Sequence, residues 1–181
     1  MTTPSSQQVA ASSMDGNQVF IDVVLVAATV TMGLVAGVFA LYSHTIMPGL
    51  RRTDDRTFVG AFQAIDRAII NPWFMICFLG TLVLTGLAAL LHLGSAHRSA
   101  LPWLVAAFVL YLITVVITVA INVPLNDAIK AAGDPDRITD LAAVRRNFSE
   151  ARWVAWNHVR VLLTTTSFVL LVTMLVTRRH K

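Results

Sequence analysis

Leu101–Val123 reads LPWLVAAFVLYLITVVITVAINV, and no Asp, Glu, Lys or Arg interrupts it. A helix needs about 20 mostly apolar residues, at roughly 1.5 Å rise each, to cross the hydrocarbon core of a bilayer. The stretch therefore predicts a transmembrane helix. Working outward, three more stretches have the same character, at about 23–43, 73–93 and 159–176. Arg160, at the start of the last, is the one Asp, Glu, Lys or Arg within any of the four. The expected fold class is all-α, an integral membrane four-helix bundle with two amphipathic helical connections on one membrane side.

Composition agrees. Of 181 residues, 56% are hydrophobic and 13% charged, where a soluble domain carries about 25% charged. Mean hydropathy is +0.68. These values exclude an ordinary cytosolic globule and intrinsic disorder alike. The single Cys77 excludes an intrachain disulfide framework and a cluster of thiolate ligands. The basic excess, 14 Lys and Arg against 10 Asp and Glu, is of the kind that orients loops at a membrane, so no nucleic-acid partner is expected. Residues 1–18, rich in Ser, Gln and Thr, are expected to be a disordered tail before a membrane domain at 19–177, with a basic tail at 178–181. The first span is not read as a cleavable signal, because no Lys or Arg precedes it and it is longer than an h-region.

The connections are unequal. Spans two and three are joined by a tight turn, Gly94–Ala100, whereas Thr45–Pro72 and Pro124–His158 are long and fall on the same membrane side. In each long connection a proline (Pro48, Pro124) is expected to stop the span, and an amphipathic helix then returns the chain. Phe58, Phe62, Ile65 and Ile69 recur at helical spacing in the first. Asp140 is placed to cap the second, whose apolar positions include Val144, Phe148, Ala151 and Ala155.

Polar residues gather on that same side. His44 ends span one, Asn71 precedes span two, Asn122 and Asn126 end span three, and Asn157, His158 and Arg160 open span four. Amide and imidazole groups near hydrocarbon are costly unless partnered, so one-sided clustering predicts a pocket open at one face. Tyr111, Thr114, Thr118 and Asn122 share a helix face, as do Asn157, Arg160, Thr164 and Ser167. Counting back by turns from His44 reaches Ala40, Gly37 and Gly33, a stripe that leaves room for a flat ligand. The plainer readings stand beside these. His44 is as readily a packing histidine at the headgroup level, and Gly33–Gly37 is a GxxxG pair that packs helices or allows a homodimer. Four tryptophans near span ends suit an aromatic belt, and among them Trp156, next to Asn157 and His158, is the site candidate. Arg51, Arg52, Arg145 and Arg146 suit topology signals or lipid-phosphate contacts. His44 and His158 alone make a weak metal signal, and no metal site is expected.

The run AGVFALYSHTIMPGLRRTDDRTFVGAFQAIDRAIINPWF (36–74), then NVPLNDAI (122–129) and RWVAWNHVR (152–160), resembles the anthrone oxygenase family of small four-helix membrane proteins. The resemblance spans about 25–176. It rests on Gln63, Asn71-Pro72, Asn122-x-Pro124-x-Asn126 and Trp156-Asn157-x-x-Arg160 as an ordered set. It implies an O2-dependent monooxygenase that oxidises a lipophilic polycyclic phenol or anthrone at its central methylene, with O2 as co-substrate and no bound cofactor. That chemistry needs a base, donors to a developing oxyanion and a dry flat pocket. The expected catalytic residues are His44 as base with Asn157 and Arg160 as donors. Gln63, Asn71, Asn122, Asn126, Trp156 and His158 are expected to bind substrate.

The alternative is a non-catalytic protein that holds a lipid, quinone or partner protein in the same pocket. Transport is disfavoured, since no span carries an acidic residue or a break. Lysines and arginines concentrate on the side of the long connections, which leans the pocket mouth towards the cytoplasm, with the chain a multi-pass protein of the cell membrane. The expected partners are membrane lipid and a lipophilic small molecule.

Overall fold

Two prolines expected to end spans instead lie within helix that runs on past them. In the computed structural model, which describes residues 6–94 and 98–178, α1 (Ser6–Leu41) passes through a π-helical turn at Tyr42–Ile46 into α2 (Met47–Arg51). Likewise α5 (Leu101–Ile117) passes through a π-turn at Thr118–Asn122 into α6 (Val123–Ala131). Each π-turn ends two residues before its proline, Pro48 or Pro124. Proline has no N–H, and its ring clashes with the carbonyl four residues back. The wider turn relieves that clash, so the helix continues where the sequence predicted a stop.

α1 also begins earlier than expected. Ser6–Gln18, read as tail, continues the helix upstream, since no proline interrupts it. Residues 1–5, 95–97 with His97, and 179–181 of the basic tail lie outside the described residues. The remaining elements are α3 (Asp55–Ile69), α4 (Pro72–Leu91), a short 3₁₀ turn at Pro135–Arg137, α7 (Leu141–Phe148) and α8 (Glu150–Arg178). Four helical stretches are long and apolar enough to cross a membrane: Gly16–Arg51, Pro72–Leu91, Leu101–Ala131 and Leu141–Thr177, the last interrupted at Ser149.

Local chemistry explains the element starts. Asp54 caps α3 by accepting the Thr57 N–H at 2.9 Å, and that N–H with the Thr57 hydroxyl holds the Asp54 carboxyl below its ordinary value. Asn71 caps α4 by accepting from Phe74 N at 3.0 Å, and Pro72 follows in the first turn, where no N–H is required. Asp140 caps α7 as expected, through Ala143 N at 2.8 Å. The amphipathic helix does not run on to Ala151 and Ala155. Ser149 adopts a left-handed φ of 54° and ends α7, so both alanines fall in α8 and are exposed.

The four long helices close a bundle in the order α1–α4–α5–α8. Leu25, Ala28, Met32, Val35, Leu104, Ala107, Tyr111 and Leu171 fill its centre. Outward-facing Val83, Leu90, Leu162 and Val169 are more than half exposed, a surface that suits acyl chains rather than water. A second core lies at the end carrying the long connections. There Phe58 and Phe62 of α3 meet Phe148 of α7 and Trp153 of α8, with Phe62 and Phe148 rings 4.5 Å apart. Burying each of these aromatics contributes about 1.5–3 kcal/mol, so α3 and α7 form a packed cap on the bundle.

Gly33 is half-buried beneath Phe168, and a Cβ there would lie 2.9 Å from the ring. Gly37 faces open space. The small-residue stripe therefore serves α1–α8 packing at Gly33.

Candidate functional site

A cavity of about 320 Å³ lies where the bundle meets its cap, bounded by α1, α3, α4, the second π-turn, α6 and α8. Its walls are mainly apolar: Phe39, Phe62, Ile69, Phe74, Phe78 and Val115 among others. The polar groups are Tyr42, Asp66, Thr118, Asn126, Asp127, Lys130, Trp153 and Arg160. Tyr42 and Thr118, the first residues of the two π-turns, both line the cavity wall.

Two hydrogen-bonded groups face this space. The first is built on α8. Asn157, fully buried, donates to the Phe39 carbonyl at 3.0 Å and the Ser43 hydroxyl at 2.7 Å. Its Oδ1 accepts from Arg160 Nη2 at 2.8 Å, and Arg160 Nη1 donates to Thr118 Oγ1 at 3.2 Å. The guanidinium carbon sits 4.3 Å above the Phe39 ring and 5.4 Å from the Trp153 ring centre. Arg160 is only 4% exposed and its Nε has no hydrogen-bond partner.

The second group joins α3, α6 and α8. Asp66, 5% exposed, lies 2.8 Å from Lys130 Nζ, which also reaches Asp127 at 3.1 Å. Asn126 donates to Asp66 Oδ1 at 2.6 Å and accepts the Trp153 indole N–H at 2.7 Å. The carboxylate is thus oriented by an amide that is itself oriented by an indole.

The expected site residues divide between these positions and others. Asn126 and Arg160 line the cavity, and Asn157 stands directly behind Arg160. Asn122 is buried beside them, donating to the Trp153 carbonyl at 3.3 Å with its Oδ1 unpartnered. Gln63 is 1% exposed but holds the cap together, donating to the Ile129 and Gly133 carbonyls at 2.8 and 3.0 Å. Asn71 is a helix cap.

His44 is exposed and absent from the cavity wall. The two residues before it, Tyr42 and Ser43, are the buried ones and continue the face of Val35 and Phe39, so His44 falls on the far side. His158 is also exposed and borders shallow grooves with Arg51 and Glu150. Trp156 is half-buried away from the cavity. Trp153, three residues earlier and 3% exposed, is the tryptophan on its wall. The reading of Trp156–Arg160 as a helix start fails for a related reason, since α8 begins at Glu150.

Sequence reasoning passed over Asp66, Lys130 and Trp153. A signal was present: Asp66 interrupts the apolar side of an amphipathic helix, between Phe62 and Ile69. Among the described residues no group of three His, Cys, Asp or Glu is arranged to hold a metal ion.

The fold and the cavity define an all-helical membrane protein with four spans and an apolar pocket at one end. The sequence profile of the anthrone oxygenase family matches residues 73–170, more than half of the chain, and the chain belongs to that family. No curated protein and no solved structure matches it.

Proposed function

We propose that the protein is an O2-dependent monooxygenase that oxidises a lipophilic polycyclic phenol of the anthrone type, without a bound cofactor, in the cavity between bundle and cap. The observation that carries the reading is the placement of charge in a mainly apolar pocket: a carboxylate, Asp66, on one wall and a guanidinium, Arg160, on another.

An anthrone loses a proton from its central methylene to give a carbanion whose charge spreads to the carbonyl oxygen across the ring. Asp66, held by Asn126 and paired with Lys130, is the base in this scheme. Arg160 meets the oxyanion with its guanidinium, which Asn157 and Thr118 keep in place. The carbanion passes one electron to O2, and the resulting radical and superoxide combine in a C–O bond. The hydroperoxide takes up a proton, and loss of the second hydrogen from the same carbon then cleaves O–O. One oxygen remains as the new carbonyl and the other leaves as water. Apolar walls exclude bulk water, which strengthens both electrostatic contacts.

The test is O2 uptake and anthraquinone formation from anthrone by the purified, metal-analysed protein in detergent, beside Asp66→Asn. Turnover above the unaided rate, lost in the variant, supports the scheme. Saturable stabilisation by anthrone with no product would instead make the protein a carrier of such molecules.

A further inference from the structure

The cavity has a side opening onto the lipid-facing surface. Ile70, Leu79 and Val119 all line it, yet they are 62%, 49% and 61% exposed. A side chain can satisfy both only at a gap in the wall, here between α4 and the π-turn that follows α5. Leu79 lies about two turns, roughly 10 Å, along α4 from its start at Pro72, and Val119 lies about one turn inside Val123. Both therefore sit within spans, below the headgroup level. Around the gap the surface is equally apolar, with Ile76 64% and Val116 57% exposed. The water-facing end is different, because there Lys130 ties Asp66 of α3 to Asp127 of its own helix across the rim.

We propose that this gap is a lateral portal through which the ligand reaches the cavity from the bilayer interior, with Leu79 and Val119 as its two jambs. The proposal rests on the cavity being the substrate site. The ligand it suits is an apolar, largely flat molecule dissolved among acyl chains, which would not have to cross the ion-paired rim.

Trp153 on the cavity wall reports access without any turnover. A full-length variant retaining Trp153 alone (Trp73→Phe, Trp103→Phe, Trp156→Phe) is placed in nanodiscs of phosphatidylcholine with or without bromine at mid-chain. Bromine quenches indole on contact, and a protein retaining Trp73 alone, 83% exposed at the start of α4, calibrates the quenching of an exposed indole at a span end. Trp153 is expected to lose most of its emission in the brominated bilayer although it is 3% exposed. Adding Leu79→Phe and Val119→Phe, whose added bulk falls at the two sides of the gap, is expected to restore it. Equal emission in both bilayers would overturn the portal, as would quenching that ignores the added phenylalanines. Quenching by aqueous iodide in place of bromine would put the mouth on the water side and overturn it as well. None of these results depends on anthrone being the substrate.

Discussion

Arg160 is fixed by Asn157 one turn earlier on the same helix, with Nη2 donating to Oδ1 at 2.8 Å, and Asn157 is in turn tied to α1 through the Phe39 carbonyl. One amide therefore positions the buried cation and pins α8 to α1. Replacing Asn157 by Ala strips a partner from each of three buried groups, and one buried unsatisfied group costs about 1–3 kcal/mol. Asn157→Ala is expected to lower thermal stability in detergent by at least that much. Asn157→Asp, which keeps the acceptor for Arg160, should retain more of it. Equal melting temperatures for wild type and Asn157→Ala would show that the amide is idle.

The two histidines at this face and the buried carboxylate give opposite expectations. His44→Ala and His158→Ala alter exposed side chains outside the cavity, so anthrone oxidation should stay within about two-fold of wild type, a change of under 0.5 kcal/mol. Asp66→Asn should reduce it by about 10²-fold or more, the ordinary contribution of a general base. Steady-state O2 consumption reads all three, and a loss confined to His44→Ala would return the base to the histidine.

Phe62 joins the cap to the bundle through ring contacts with Phe58, Phe148 and Trp153. Phe62→Ala leaves a void at that junction and is expected to cost about 3–5 kcal/mol. Limited proteolysis should then cut first in the long connections, at 52–55 or 132–140, while the spans stay protected. An unchanged cleavage pattern would mean the cap is held by its ion pairs instead.

Gly33 and Gly37 look alike in sequence and should behave differently. Gly33→Ala drives a methyl into the Phe168 ring and is expected to destabilise by about 1 kcal/mol, and Phe168→Leu should recover most of that. Gly37→Ala meets nothing within 4 Å and should be neutral or slightly stabilising. Thermal melts of the three variants suffice, and equal cost at both glycines would contradict the packing described.

Much of the architecture could be read without coordinates, because what sets it is local. Hydropathy over a span-length window locates a membrane helix, and Asp140 followed by an apolar period marks a helix start wherever it occurs. The interior faces of α5 and α8 were legible for the same reason: Tyr111, Thr114, Thr118 and Asn122 share one side at helical spacing, and so do Asn157, Arg160, Thr164 and Ser167. Asn126 and Arg160 came with them.

The identity of the remaining partners was a tertiary matter. Asp66 and Asn126 lie 60 residues apart in the chain, and no local pattern pairs them. Counting back from His44 reached Ala40, Gly37 and Gly33, but the buried face of the helix runs through Met32, Val35 and Phe39 to Tyr42 and Ser43, which leaves His44 outside. Adjacency to Asn157 and His158 favoured Trp156 over Trp153, until the packing of α8 against Phe62 and Asn126 decided which tryptophan faces the cavity. By itself, then, the sequence determined four spans, their capped connections and a polar end, through hydrophobicity and hydrogen-bonding rules that act within a few turns. Which of those polar side chains share one cavity was decided only in the folded bundle, where the docking of α3 against α6 and α8 brings residues distant in the chain onto one wall.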